Sequence, residues 1–583
     1  MSLRNCIWMI LFTQTMQGQE IFTPEWTNQI HAADFDFLYP QALEVDSKGN
    51  VYIACYSHDT IWINDTPILP GTGYYSNMIA KFNAAGELLW TRNYIDTYNN
   101  SSIRVTGMKI NNKDELVVYG ISAGAILFDG FYLSDFTDDV SIGFLHKIDT
   151  AGESVSFSQI DSIYIWDIAI GPNDEINGVA ENYGTNGELF GQTVNTGNFI
   201  FQCKDNFTLN YLIEQPGPYT NPYYSNTYPS YMPHIAADNE GNTFVTYIYE
   251  DTLYLNGKTY LPHTYTEVYI DSFEIAEDSF EVFIDTIQYF DPDGVLIKYD
   301  SNGVAIWDCT INGKKTQFFH TLTVDDEGNI FTIGLFYEGD TVFIKDSTII
   351  ILPDMMPAID KPYIVLQIDA DGNPVNYMFS KDSIFLYSEL VVQDQNIYVP
   401  GHIYTEETKW RNAALGRYDF NFELQQFGRA SCPFTSPCYS NGDLRILAVF
   451  DSSIYAFGEY YDGMVLGEET LITDGGRQGY FLTKFPYDFS DTYIIPDSLL
   501  MVYSESSIYP IPTRDELNLS FSDKTETITN CIISNMLGQV WSMTPVQQNL
   551  NTWQLDVRFL RAGVYLVSYT VNGVEKSATF IKM

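Results

Sequence analysis

Positive charge is what this chain has least of. Only 29 Lys and Arg stand against 75 Asp and Glu, a formal net charge of -46. So negative a surface repels phosphate backbones and anionic headgroups, which argues against nucleic acid as a partner and against electrostatic docking on a membrane. Cysteine is also scarce, with 7 in 583 residues. Cys6 lies in the N-terminal apolar stretch, while Cys55, Cys203, Cys309 and Cys531 are scattered like small hydrophobes, and no spacing fits a zinc site. Cys432 and Cys438, in Cys-Pro-Phe-Thr-Ser-Pro-Cys, are close enough for a local loop disulfide in an oxidising compartment. The 7 His never fall in a metalloprotease spacing, and there is neither a Gly-x-Ser-x-Gly elbow nor a phosphate-binding glycine loop. No catalytic residue and no cofactor is therefore assigned. Long apolar runs are missing too, so no mature transmembrane helix is expected.

Aromatic residues are abundant instead, at 15% with 43 Tyr and 38 Phe. They suit pleated, half-buried surfaces, and few helix-period stretches compete, so the fold class is all-β. The length exceeds one ordinary core. Residues 1–18 read as an export signal: Arg4, then an apolar core from Cys6 to Phe12, then a cut before Gln19.

One strand-turn-strand phrase keeps returning. It is plain at Val45-Asp46-Ser47-Lys48-Gly49-Asn50-Val51, and again around Asp238 to Thr243 and Asp325 to Ile330. Looser copies place Leu116, Ile176, Ile397 and Ile454 as equivalents of Val51, at intervals of roughly 67 residues. A second phrase follows in each unit, as in Lys81-Phe82-Asn83-Ala84-Ala85-Gly86, Lys147 to Gly152 and Lys298 to Gly303; Gln367 replaces the lysine in another. Strands ending in Trp90 and Trp307 come next. Two hairpins per unit make a four-stranded blade, and seven units make a seven-bladed β-propeller over residues 19–492. The last unit lacks a fourth strand, and Trp26-Thr27-Asn28-Gln29-Ile30 resembles the one that starts at Trp90. Residues 21–31 are expected to complete the last blade. The phrases resemble β-propeller repeats of exported bacterial proteins, with Asp-x-x-Gly-Asn-aliphatic-Tyr as the shared signature; that likeness implies a fold and no activity.

Six of the units insert a further hairpin between their second and third strands, so all copies are expected on one face. Trp62, Phe128, Tyr254 and Phe343 occupy it, and two readings stand: stacking on sugars, or packing the hairpins onto the blades. The acidic turns, such as Asp325-Asp326-Glu327 and Asp291-Pro292-Asp293, leave calcium open, although Asp also caps tight turns without metal. The charge-rich segment Asp271 to Asp291 reads as a solvated loop.

From about residue 493 a Ser-rich linker runs to 507, and a small antiparallel, immunoglobulin-like sandwich follows at 508–583. Its markers are Tyr509-Pro510-Ile511-Pro512, Leu537-Gly538-Gln539, Gly563-Val564-Tyr565 and Lys582. In that order they resemble the type A C-terminal sorting domain of the type IX (Por) secretion system of Bacteroidetes-type bacteria. Ile511 departs from the family's usual Asn. The resemblance implies engagement of the type IX machinery and a secreted or surface-attached product. The expected function is binding or adhesion to a glycan or surface protein; the alternative is an exported hydrolase or lyase working at the propeller channel mouth.

Overall fold

The computed structural model describes residues 22–489 apart from 33–37, 58–59, 65, 69–75, 97–102, 123, 135–141, 185–186, 216–232, 250–251, 256, 262–263, 277–278, 291–292, 314–317, 320, 336–340, 346–347, 352–362, 380–389, 405–410, 431–441, 462 and 473–477, and residues 507–582 apart from 510–515, 521–527, 536–538, 548–551, 562 and 572–573. The export signal, Cys432, Cys438, Asp291, Pro510, Pro512, Leu537, Gly538 and residues 493–506 of the linker lie outside the described residues. The chain divides into two compact units, Met1–Lys345 with Ile350–Tyr493, and Asp346–Ile349 with Ile494–Met583. Every regular element among the described residues is a strand, and the chain is all-β.

The recurring turns explain themselves by their hydrogen bonds. Asp46 Oδ1 accepts the N–H groups of Lys48 (3.0 Å) and Asn50 (2.9 Å), and the same pattern holds at Asp149, Asp238, Asp300, Asp325, Asp369 and Asp419. An aspartate that bonds its own downstream backbone makes a tight turn without help from a metal. The lysine of the second phrase reaches back to the first: Lys81 Nζ lies 3.4 Å from the buried Asp46, and Lys298 Nζ lies 3.7 Å from Asp238.

In the larger unit these turns join antiparallel sheets of one plan. In the first, Leu38–Val45, Val51–Ser57, Ser76–Phe82 and Leu88–Asp96 lie side by side. In another, Gly442–Phe450, Ser453–Tyr461 and Gln478–Pro486 are joined by Trp26–Ala32 from the other end of the chain, in register from Trp26↔Lys484 to Ile30↔Tyr480. First strands touch in succession: Leu38–Val45, Ile103–Ile110, Ile163–Ile170, Ile235–Ala237, Thr323–Val324, Val391–Gln393 and Gly442–Phe450, which touches Leu38–Val45 again. The buried clusters lie between successive sheets, and one joins Phe457 and Leu482 to Ile53 and Ala80.

Fourth strands reach across to the next sheet. The indole N–H groups of Trp90 and Trp307 donate to Thr150 O (3.2 Å) and Ala370 O (2.9 Å), turn carbonyls of the following unit. Trp26 makes the same bond to Ala84 O at 3.1 Å. The inserted hairpins also pair with a neighbour. Ile61–Ile63, Ile126–Phe128, Gly187–Leu189 and Thr341–Ile344 each bond to the fourth strand of the preceding sheet. Pairing at an outer edge satisfies backbone groups that would otherwise stay open. The hairpins Leu253–Leu255 with Lys258–Tyr260 and Gly463–Leu466 with Glu469–Ile472 remain two-stranded sheets. The segment read as a solvated loop is a long β-ribbon, Thr264–Ala276 against Ser279–Phe290. Its runs Val268-Tyr269-Ile270 and Val282-Phe283-Ile284 are β-branched and aromatic, residue types that favour strands.

The smaller unit has two four-stranded antiparallel sheets over one buried core that includes Leu517, Leu519, Ile533, Leu555 and Val567. Cys55, Cys203, Cys309 and Cys531 are buried and free, and burial raises each thiol pKa.

Two glycines isolate the indole contact. Gly86 (φ +81) and Gly130 (φ +84) are both left-handed, yet a Cβ on Gly86 would lie 2.6 Å from the Trp26 ring while one on Gly130 meets nothing within 4 Å. Gly130→Ala is expected to cost about 1 kcal/mol from backbone strain alone. Gly86→Ala should cost at least ~1 kcal/mol more, read from denaturant midpoints; equal costs would mean that the indole is not seated there.

Candidate functional site

A β-bulge adds one residue to a strand and re-aims its side chain. Four of the first strands carry one at matching places. Their register against the second strand shifts between Pro40 and Ala42, Val105 and Gly107, Ile165 and Asp167, and Leu444 and Ile446. The extra residues are Gln41, Thr106, Trp166 and Arg445, each with a polar group. Sequence reading missed all four, because a bulge is defined by pairing and leaves no local motif.

Around Arg445 the charges are matched. Its guanidinium lies between Glu459, at hydrogen-bond contact, and Asp443, at 3.9 Å. Gln478 donates to Glu459 Oε2 (2.8 Å), and His402 Nδ1 meets Asp443. Ion pairs also join neighbouring first strands, with Lys109 3.3 Å from Glu44. Asp167 accepts from the Tyr119 hydroxyl (3.1 Å) and lies 3.5 Å from His234. Burial pushes the Asp167 pKa up, but His234, Lys109 and the Ile235 N–H together hold it below the usual carboxylate value.

Around Trp166 the balance differs. Register sets Glu181 between Tyr164 on one strand and Asn198 on the other. Glu181 is 1% exposed. Burial pushes its pKa up to about 7 although the Tyr183 hydroxyl and the Trp166 indole favour the charged form. Glu181 Oε1, Asn198 Oδ1 and Trp166 Nε1 are buried and outside strict hydrogen-bond geometry among the described residues, although the Trp166 indole and the Tyr183 hydroxyl both act on the Glu181 carboxyl. The rings of Tyr164 and Trp166 lie 4.2 Å apart, and Tyr183 meets Tyr164 edge-on at 6.5 Å.

The hairpin aromatics do not share one role. Trp62 is half-buried and stacked on His31 at 6.1 Å. Tyr254 and Phe343 are exposed. Phe128 is a core residue, 4% exposed and packed on Tyr94 and on His146, whose pKa burial lowers to about 3. The reading of Phe128 as a ligand contact is corrected by its phase: in Ile126-Leu127-Phe128 the middle residue points outward, as Trp62 does. The outward series is Trp62, Leu127, Glu188, Tyr254, Phe343 and Val465.

In the acidic turns the carboxylates are engaged: Asp325 Oδ2 takes the Asn329 amide (2.8 Å), and Asp326 takes that of Asn239 (2.9 Å). No group of three or more metal-ligating side chains occurs among the described residues. In the smaller unit Tyr509 and Gly563 lie on strands, and Gln539 closes a turn with Asn535, whose amide donates to it at 2.8 Å. The buried Tyr565 donates its hydroxyl to Arg561 O (2.9 Å), and Lys582 is buried.

The raised Glu181 pKa has a stability consequence. The folded state keeps a proton that the unfolded chain loses above about 4.5, so stability falls as pH rises from there through about 7. Glu181→Gln should flatten that slope and exceed the parent's stability above pH 7 by about 2–3 kcal/mol. Parallel curves from pH-dependent denaturation would contradict the assignment.

No curated protein matches this chain. Among solved structures it is similar to a protein of unknown function from Bacteroides caccae (7% identity, TM-score 0.26, covering 70% of this chain and 94% of that one). It is also similar to the Dos1 propeller (10%, 0.34, 80% and 97%) and to a polysaccharide lyase, an ulvan lyase of a new family (9%, 0.36, 82% and 98%). Identities and scores this low carry no activity to this chain. Residues 507–583 match the family described as the secretion system C-terminal sorting domain. That domain marks proteins exported by type IX secretion to the cell surface or outside, which places this chain there.

Proposed function

We propose that this chain is an exported β-propeller of seven blades that works as a binding or adhesion module. In this reading residues 1–18 are the signal, 19–492 the propeller, 493–507 a linker, and 508–583 an immunoglobulin-like sorting domain that engages the type IX machinery. The closed succession of first strands supports seven blades, and the pairing of Trp26–Ala32 with Gln478–Pro486 supports closure by the N-terminal strand.

The outward hairpin positions carry the binding reading. One backbone site recurs with six different side chains, Trp62, Leu127, Glu188, Tyr254, Phe343 and Val465. A fixed scaffold with varied, partly aromatic surface residues suits recognition of a glycan or a surface protein. The rival reading, an exported hydrolase or lyase, draws on Glu181. That carboxyl is flanked by Tyr164 and Asn198, whereas glycosidases oppose two carboxyls.

Deleting residues 507–583 should leave the protein inside the outer membrane, read by cell fractionation; unchanged export would remove the sorting role. The secreted protein should be retained on a subset of a glycan and surface-protein array with or without chelator. Tyr254→Ala with Phe343→Ala should weaken retention at least about fivefold, roughly 1 kcal/mol. Degradation of arrayed material without retention would favour the enzyme.

A further inference from the structure

The sorting domain differs from the rest of the chain in charge. Residues 507–583 carry 6 Lys and Arg against 6 Asp and Glu, leaving 23 against 69 for everything before them. The whole formal charge of -46 therefore lies outside this domain. A cationic receptor would be drawn to the acidic remainder of the chain, and an anionic one would be repelled by it. Charge thus cannot distinguish the domain that marks the chain for export. A receptor for it has to read shape and apolar surface.

One sheet of the smaller unit supplies such a surface. Its strands lie in the order Val540–Ser542, Ile528–Asn535, Gly563–Val571 and Val574–Lys582. Alternate residues turn inward: Cys531, Ile533, Tyr565, Val567 and Tyr569 are buried, and Trp541 packs against that core. Among the residues between them three exposed ones are aliphatic, Ile532 at 36%, Leu566 at 40% and Val540 at 59%. They form one group. Ser534 stands directly between Val540 and Leu566, while Ile532 is opposite both Ser542 and Ser568. Opposed side chains in a sheet lie about 5 Å apart and diagonal ones ~7–8 Å, so Ile532 is within reach of Val540 and Leu566, with short serines between. On the phase of this face the four strands carry one charged residue, Glu575, opposite Thr570 at the far end. A sheet face left in water ordinarily carries polar residues, and a contiguous apolar group there is a feature of binding surfaces. A second copy is a poor occupant, because two chains this acidic repel one another.

We propose that the face built on Val540, Ile532 and Leu566 is where the smaller unit meets the export machinery, and that the partner's surface there is apolar and uncharged. The assignment rests on the reading of residues 508–583 as the part that engages the type IX machinery.

The test uses the full chain in secreting cells, with protein at the surface and in the medium measured against protein held inside the outer membrane. Ile532→Thr with Leu566→Thr keeps β-branched residues in the strands and should lower export at least about tenfold. Ile532→Val with Leu566→Met should export as the parent does. Leu566→Glu and Leu566→Lys should each lower export by a similar factor, because an apolar partner rejects either sign. Val546→Thr, at an equally exposed valine of the other sheet, should leave export unchanged. Melting curves of the purified variants show whether the fold is kept; if the double threonine variant melts early, the two single charge variants decide. Normal export of the folded variants overturns the proposal. So does export lost with Glu but kept with Lys, which would mean an anionic partner. Parent dimers that the threonine variant converts to monomers without loss of export would make the face a self-association surface and overturn it equally. Normal export of the face variants while deletion of residues 507–583 still blocks export removes this face and leaves the sorting role standing. Export that survives the deletion removes both.

Discussion

Each sheet of the larger unit is held by groups that belong to its neighbours. A fourth strand has an outer edge of open N–H and C=O groups, and a lone sheet leaves its apolar faces in water. Three devices answer this. Buried clusters span successive sheets, a tryptophan on the fourth strand donates to the next turn, and four inserted hairpins pair onto the preceding sheet. The chain ends obey the same constraint. Trp26 occupies, against Ala84 and Gly86, the place that Trp307 occupies against Ala370 and Gly372.

Much of this was legible because the turn states its own hydrogen bonds. Asp46, Gly49 and Asn50 are partners within five residues, so the phrase is visible wherever it recurs. The all-β class followed from composition. What stayed hidden depends on pairing between distant strands. The bulges at Gln41, Thr106, Trp166 and Arg445 exist only relative to a second strand. Phe128 looked like an equivalent of Trp62 because both are aromatic, yet one residue of phase separates inside from outside. In Thr264–Phe290 the high charge drew attention away from β-branched and aromatic runs that pair as strands.

The two polar groups beside the bulges differ in a way that bears on function. Arg445 is balanced by Asp443 and Glu459 and ties in His402, as a structural network does. Glu181 is buried, and the Tyr183 hydroxyl and Trp166 indole offset only part of the cost of burial, so its pKa is pushed up to about 7. Export by the type IX route places the chain at the cell surface or outside.

The last sheet of the larger unit depends on Trp26–Ala32 being the fourth strand beside Gln478–Pro486. Thr27 and Thr483 face each other across that pairing, their hydroxyl oxygens 3.1 Å apart. A Thr27→Cys, Thr483→Cys double variant should form the disulfide in nearly every molecule on air oxidation and should unfold at higher denaturant once linked. Failure to link while the protein remains folded would contradict closure by the N-terminal strand.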